Sequence, residues 1–136
     1  MILIDTSVWI ATYRDPSGAT AHALGQLVGS SPIATNGFIR MEVLQGATDD
    51  TDWHRIATAF SALVDLPFKP DIWGNAARIY FDLRRLGVTI RSTIDACIAQ
   101  TALDQQIELI HADRDFDRIF TVRPALKLRR LVSGGS

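Results

Sequence analysis

Short apolar runs alternate along the chain with longer segments whose apolar residues recur every three or four positions. Met1 to Ile4 reads as a buried strand, although it is too short and too uniformly apolar for periodicity alone to distinguish strand from helix. Asp5-Thr6-Ser7 supplies N-cap chemistry, and Val8-Trp9-Ile10 begins a short helix that Pro16-Ser17-Gly18 breaks. Ala19 to Val28 forms a second helix, with Ala23, Leu24, Leu27 and Val28 on one face. Ile33-Ala34-Thr35 is a second strand. Asn36 then caps a helix to about Ala47, in which Ile39, Val43 and Ala47 share a face. Asp52 to Leu63 is a further helix, and Val64 to Phe68 a short strand ended by Pro70. The clearest helix spans Asp71 to Leu86, with a stripe of Trp73, Ala76, Ala77, Tyr80 and Leu83 and with Gly87 placed to end it. Thr93 precedes an apolar helix from Ile94 to Leu103. Glu108 to His111 is the best later strand, Asp113 to Phe120 a short helix or turn, and Leu126 to Leu131 an edge strand.

Strands of this kind alternating with helices indicate a parallel sheet covered on both faces. The expected architecture is α/β: a three-layer α/β/α domain with a mostly parallel central sheet of four or five strands and about seven helices. One domain is expected over residues 1–132. Ser133-Gly134-Gly135-Ser136 has the composition of a flexible tail or an appended linker.

Composition narrows the class. The chain has 136 residues, 47% of them hydrophobic and 21% charged, which suits a single domain with a substantial core. No apolar run is long enough to span a bilayer, and no signal-peptide pattern precedes the first strand. Cys97 is the only cysteine, so no disulfide forms within the chain; it reads as a small core residue, and a reducing cytoplasm is expected. The net charge of −1 argues against a plain basic nucleic-acid binder. That average conceals a division. Arg84, Arg85, Arg91, Arg114, Arg118, Arg123, Lys127, Arg129 and Arg130 are concentrated in the second half, while several acids border hydrophobic segments.

Those acids carry the candidate chemistry. Asp5 closes the first strand, Asp95 opens an apolar helix, and Asp113 follows the strand ending at His111. Singly, each has an ordinary role as a cap or a helix-dipole partner. Glu42 borders a buried helix face, which is harder to explain in that way. In a parallel sheet the residues following strands emerge on one edge, with the first turns of the next helices. Asp5, Asp95 and Asp113 would converge there, with Glu42 projecting from a neighbouring helix. Carboxylates so gathered repel one another, and a divalent cation relieves the repulsion. Oxygen ligands without His or Cys favour Mg²⁺ or Mn²⁺ over Zn²⁺. His22 and His54 lie in helices without spaced partners. His111 reads as structural, and Trp9, Trp53 and Trp73 as core or interface. No Gly-rich phosphate loop and no nucleophile elbow is present.

Four blocks, in order, resemble the PIN-domain family: Ile2-Leu3-Ile4-Asp5-Thr6-Ser7-Val8-Trp9-Ile10, Arg40-Met41-Glu42-Val43-Leu44-Gln45-Gly46, Arg91-Ser92-Thr93-Ile94-Asp95-Ala96-Cys97-Ile98-Ala99, and His111-Ala112-Asp113-Arg114-Asp115-Phe116. The short single-domain form most resembles the VapC toxins of toxin–antitoxin pairs. The resemblance implies a PIN-like fold and an endoribonuclease dependent on one or two Mg²⁺ or Mn²⁺ ions, hydrolysing RNA by metal-activated water to leave 5′-phosphate ends. Asp5, Glu42, Asp95 and Asp113 match the family's catalytic, metal-binding quartet. Asp115 matches an additional metal-site acid, and Thr6 and Thr93 match supporting hydroxyls. Asp117 has no counterpart and reads as solvated. Arg91, Arg114 and Arg118 are candidates for RNA contact, since phosphate contacts position a strand. The resemblance also implies a VapB-like antitoxin partner, whose Arg often reaches the carboxylates, and a homodimer. A rival is a non-catalytic RNA- or protein-binding module with an acidic metal site. A phosphatase with an Asp5 nucleophile is weaker, because it needs a second Asp at the position held by Ser7.

Overall fold

The structure, a computed structural model, describes residues 1–131; the tail at 133–136 lies outside the described residues. Seven helices and five strands follow in the order β1 (Ile2–Ile4), α1 (Thr6–Arg14), α2 (Ala19–Val28), β2 (Ile33–Thr35), α3 (Gly37–Gln45), α4 (Asp50–Ser61), β3 (Val64–Asp65), α5 (Ile72–Arg85), α6 (Thr93–Gln105), β4 (Glu108–His111), α7 (Arg114–Val122) and β5 (Leu128–Arg130). Every strand pair is parallel, and the sheet order is β3-β2-β1-β4-β5.

The central strands are apolar on both faces because helices cover both. Leu3, Ala34 and Leu109 point into one core, with Phe38, Ile39, Ile72, Ile79, Leu83, Ile98 and Phe116 from the helices α3, α5, α6 and α7. Ile2, Ile4 and Ile110 point the other way, onto Val8, Leu24 and Val28 from α1 and α2. The period-two alternation of each strand thus divides a uniformly apolar run between two layers. This is the three-layer α/β/α arrangement expected from the sequence.

The order also fixes where a site forms. The chain moves outward from β1 to β2 and β3, then returns to the other side of β1 for β4 and β5. The direction of winding reverses between β1 and β4. In open α/β sheets the crevice beyond the carboxyl ends of such strands is the ligand site. Asp5 leaves the end of β1, and Asp113 follows β4 by two residues.

Several details differ from the sequence reading, among them β5, which covers only Leu128–Arg130 of the expected Leu126 to Leu131. The buried stripe of α5 is Ile72, Ala76, Ile79 and Leu83, while Trp73 is 59% exposed. Counting Trp and Tyr as core residues rotated the stripe by about one position. The Trp73 ring instead packs edge-on against Phe38 and Phe68, at 5.8 and 5.7 Å between centroids. Trp53 is likewise exposed, whereas Trp9 is partly buried against both cores and Phe60. β3 is shorter than the expected Val64 to Phe68: Leu66 still donates its N–H to the Thr35 carbonyl at 2.8 Å, and Pro67 then has no N–H to continue. The segment after Asp113 is a full helix to Val122. Gly87 ends α5 as expected, with φ of 76° and the Val88 N–H returning to the Leu83 carbonyl at 3.0 Å.

Candidate metal centre

Helix N-termini place three of the four quartet acids, two of them as caps. Asp5 is the N-cap of α1, and its Oδ2 accepts from the Ser7 N–H at 2.9 Å and the Ser7 hydroxyl at 2.5 Å. Asp113 is the N-cap of α7, its Oδ1 accepting from the Asp115 N–H at 3.0 Å. Asp95 lies in the first turn of α6, whose N-cap is Ser92. These positions put negative charge where helix dipoles favour it. Glu42 comes from the middle of α3, whose N-cap Asn36 is buried and donates its side-chain amide to Thr101 on α6 at 3.1 Å. That bond ties α3 to α6, the two helices that carry Glu42 and Asp95.

The ordinary roles leave lone pairs unused. Asp5 is only 2% exposed, yet its Oδ1 has no hydrogen-bond partner among the described residues. Such an atom is destabilising unless a ligand completes it. Burial pushes the Asp5 carboxyl up to about 6, against the lowering effect of the Ser7 bonds and with help from the nearby Glu42 charge. Asp95 is pushed further, to about 8, first by burial and then by the charges of Asp5, Asp113, Glu42 and Asp115. Its side chain makes no hydrogen bond and no ion pair among the described residues. The other four acids thus all bear on Asp95, which stands at the centre of the group. One oxygen from each of Asp95, Asp113 and Asp115 lies within 4.8 Å of the others, a spacing that could hold one cation.

This donor set suits a hard divalent cation: all oxygen, partly desolvated, with a bare buried oxygen on Asp5. Thr6 donates its hydroxyl to Glu42 Oε1 at 2.8 Å. Thr6→Val keeps the side chain's outline and removes that donor. We expect Mn²⁺ affinity, measured by calorimetry, to fall by roughly tenfold, as for other groups that orient a ligand. Unchanged affinity would remove Thr6 from the site. Thr93, the other expected hydroxyl, is exposed and donates no side-chain hydrogen bond among the described residues; its neighbour Ser92 takes the capping role.

Asp115 is fully buried and already bonded. Its Oδ2 accepts from the Arg91 amide at 3.0 Å and Arg91 Nε at 3.3 Å, and its Oδ1 from Arg118 Nη1 at 2.5 Å. Arg91 also reaches Asp113 Oδ2 at 2.5 Å. The three expected arginines, Arg91, Arg114 and Arg118, line one cavity of about 710 Å³ beside Asp113, and sequence reading missed the other two, Arg14 and Arg130. Neither stands near an acid of the quartet in sequence, so only the fold reveals them. Ser7 was read only as part of a cap. Its hydroxyl also accepts from the Ala112 N–H at 3.0 Å, joining the ends of β1 and β4. Asp117 is exposed and paired with Arg130 at 2.9 Å, outside the acid group as expected. His111 is buried against Phe116, with its Nδ1 on the Asp113 backbone, and burial lowers its pKa. It braces the Asp113 turn.

Comparisons with known proteins agree with this geometry. The PIN domain family model matches residues 2–120. Ribonuclease VapC11 of Mycobacterium tuberculosis (strain ATCC 25618 / H37Rv) is 36% identical over 122 residues, covering 88% of this chain and 91% of that protein. Ribonuclease VapC17 of the same strain is 32% identical over 96 residues, covering 69% and 72%. Among solved structures, VapBC2 from Rickettsia felis, crystallised with a DNA fragment from its promoter, contains a chain with a TM-score of 0.77 at 19% identity, covering 97% of this chain and 100% of that one. VapBC-1 from nontypeable Haemophilus influenzae gives 0.76 at 20% identity, covering 96% and 98%. These two show the fold. The family model and the sequence relatives go further: the chain belongs to the PIN-domain family, in its VapC group.

Proposed function

We propose that the protein is a divalent-metal-dependent endoribonuclease and the toxin of a VapBC-type toxin–antitoxin pair. The observation that carries this is the bare, buried oxygen of Asp5 sharing one crevice with the unpaired carboxylate of Asp95. Asp5 and Asp95 lack the full internal partners that a purely structural acid group would give them, which supports a cation site. The names of the relatives, both ribonucleases, support the same reading.

Asp5, Glu42, Asp95 and Asp113 are the residues that would hold Mg²⁺ or Mn²⁺, as one or two ions. When bound, such an ion supplies Lewis acidity toward the phosphate and lowers the pKa of a water at the site. The protein's own groups do the rest. Thr6 fixes the Glu42 carboxylate. Ser7 orients Asp5 so that Oδ1, not Oδ2, is left open. The arginines beside Asp113 offset the repulsion between an acidic crevice and an RNA backbone.

The partner is expected to be a VapB-like antitoxin, since the solved neighbours come from VapBC assemblies. Homodimerisation is expected with it; the exposed aromatic pair Phe68 and Trp73 offers apolar surface for one of these contacts. Among the described residues no helix is long and apolar enough to cross a membrane. The place of action in this proposal, the cytoplasm, rests on the VapC-type reading.

The test is cleavage of cellular RNA with Mg²⁺ or Mn²⁺ against EDTA, with sequencing of 5′-phosphate ends. Cation-dependent cuts at defined positions are expected. Metal-independent RNA binding without cleavage would replace the nuclease with a binding module.

A further inference from the structure

We infer that Asp115 is a positioning residue: it fixes Arg91 and Arg118 at the mouth of the acid crevice, where their remaining N–H groups grip an RNA phosphate adjoining the cleavage point. This rests on the ribonuclease reading above and assigns roles that the family resemblance does not.

The case begins with contrast among the acids. Asp5 has a bare oxygen and Asp95 has no partner, so both lack compensation. Asp113 also has both oxygens bonded, but only one guanidinium reaches it; Asp115, although one of its oxygens lies in the same 4.8 Å group, is held by two guanidiniums and a backbone N–H. Two fixed positive charges at contact distance oppose a further cation there. Its negative charge is already spent on arginines.

What the arginines gain is position. Each guanidinium carries five N–H donors in a rigid fork. Arg118 gives one contact to Asp115, and Arg91 gives Nε to Asp115 and Nη2 to Asp113, so among the described residues most of their donors stay unbonded. The side chains remain 78% and 47% exposed, while Asp115 beneath them is 1% exposed. A buried anchor under two exposed forks removes the entropy that free arginines lose on binding phosphate. The pair also separates two cavities. One holds Arg14, Arg114, Arg130 and Asp113. The other, about 400 Å³, is lined by the Gly87–Ile90 loop with Asp115. Arg91 and Arg118 line both. A strand leaving the acids crosses this ridge and meets both forks. Among the described residues Arg14 and Arg114 have no acid partner, which gives the first cavity uncompensated positive charge for the next phosphate.

The experiment pairs Mn²⁺ calorimetry without RNA with steady-state cleavage of a short RNA that the wild-type protein cuts. Asp115→Asn should leave Mn²⁺ affinity within about twofold of wild type, whereas Asp113→Asn should lower it by tenfold or more, on the order of the loss of a ligand-shell group. KM for RNA should rise about tenfold while kcat falls no more than about threefold, the pattern of lost ground-state binding. Arg91→Ala/Arg118→Ala should give the same KM, and adding Asp115→Asn to it should change little, since the three act as one unit. If Asp115→Asn does not fold, Arg118→Ala carries the test. Its KM should rise at unchanged Mn²⁺ affinity, and its binding should lose roughly 0.7 from the log-affinity against log-salt slope, one phosphate contact on a single strand. Asp115→Asn losing Mn²⁺ affinity as Asp113→Asn does would make Asp115 a ligand and overturn the inference. Folded variants with wild-type KM would reduce it to a clip between the 87–92 segment and α7. If the wild-type protein cuts no RNA, the ribonuclease reading fails, and the calorimetry still decides whether Asp115 binds metal.

Discussion

Asp95→Asn is expected to slow RNA cleavage by about a thousandfold or more and, at the same time, to stabilise the metal-free protein. Both effects come from one placement. Asp95 stands in the field of Asp5, Asp113, Glu42 and Asp115 without a hydrogen bond of its own. It is the carboxylate with most to offer a cation and the one that loses most without it. Asn keeps the shape and removes the charge, so the repulsion among the remaining acids falls. In EDTA at about pH 8.5 the variant should melt roughly 3–8 °C above wild type, corresponding to about 1–2 kcal/mol. Mn²⁺ should then raise its melting temperature far less than it raises that of wild type. Asp5→Asn is expected to lose activity to a similar degree. Its amide oxygen can still cap α1 through Ser7, so the loss would not reflect unfolding. An Asp95→Asn protein that folds and cuts RNA at the wild-type rate would dismantle the assignment.

The placement of the candidate site's acids was more legible in the sequence than the packing around them. Asp5 and Asp113 follow apolar strands and cap the next helices, so their positions could be read from strand ends alone. The four blocks with their acids then pointed to the family before any coordinates. What stayed hidden was pairing over long separations. Nothing in the sequence joins Thr6 to Glu42, Asn36 to Thr101 or Ser7 to Ala112, because such contacts depend on how the layers dock. Asp115 illustrates the limit. Its residue type and place in the fourth block suggest a ligand, whereas its surroundings, seen only in the fold, hold two arginines against it. Helix faces failed for a different reason. Ile72 and Ile79 bury their whole side chains in α5, but Trp73 and Tyr80 are large and apolar enough to mimic a stripe one position away. The strands were found, β2 and β4 to the residue, but β3 and β5 are shorter than read, since hydrogen-bond register rather than hydrophobicity decides where they stop.

The metal-free protein is expected to lose stability as pH rises through the neutral range, and a divalent cation is expected to abolish much of that loss. The sign follows from the direction of the shifts. Asp5 and Asp95 lie at about 6 and about 8 in the folded protein, against a value of 3.8 for each when unperturbed. The folded state therefore holds protons that the unfolded chain has released. Stability from these two groups is fully present below about pH 4 and is lost progressively as pH rises, through about 6 for Asp5 and about 8 for Asp95. Asp115 acts in the opposite sense. Its lowered pKa contributes stability above 3.8 that disappears only on stronger acidification. Together the three favour a mildly acidic optimum for the metal-free fold. In EDTA, the melting temperature should drop by roughly 5–10 °C between about pH 5.5 and about pH 8.5. With saturating Mg²⁺ or Mn²⁺ the drop should largely vanish, because ion binding requires the same carboxylates to be deprotonated and is strongest where the metal-free protein is weakest. Asp95→Asn separates this account from a general charge effect: it removes the group with the largest shift and should flatten the EDTA profile above about pH 6. A profile for that variant as steep as the wild-type one would show that the pH dependence arises elsewhere in the fold. A cation effect equally large at both ends of the range would show that the ion does not compete with those protons.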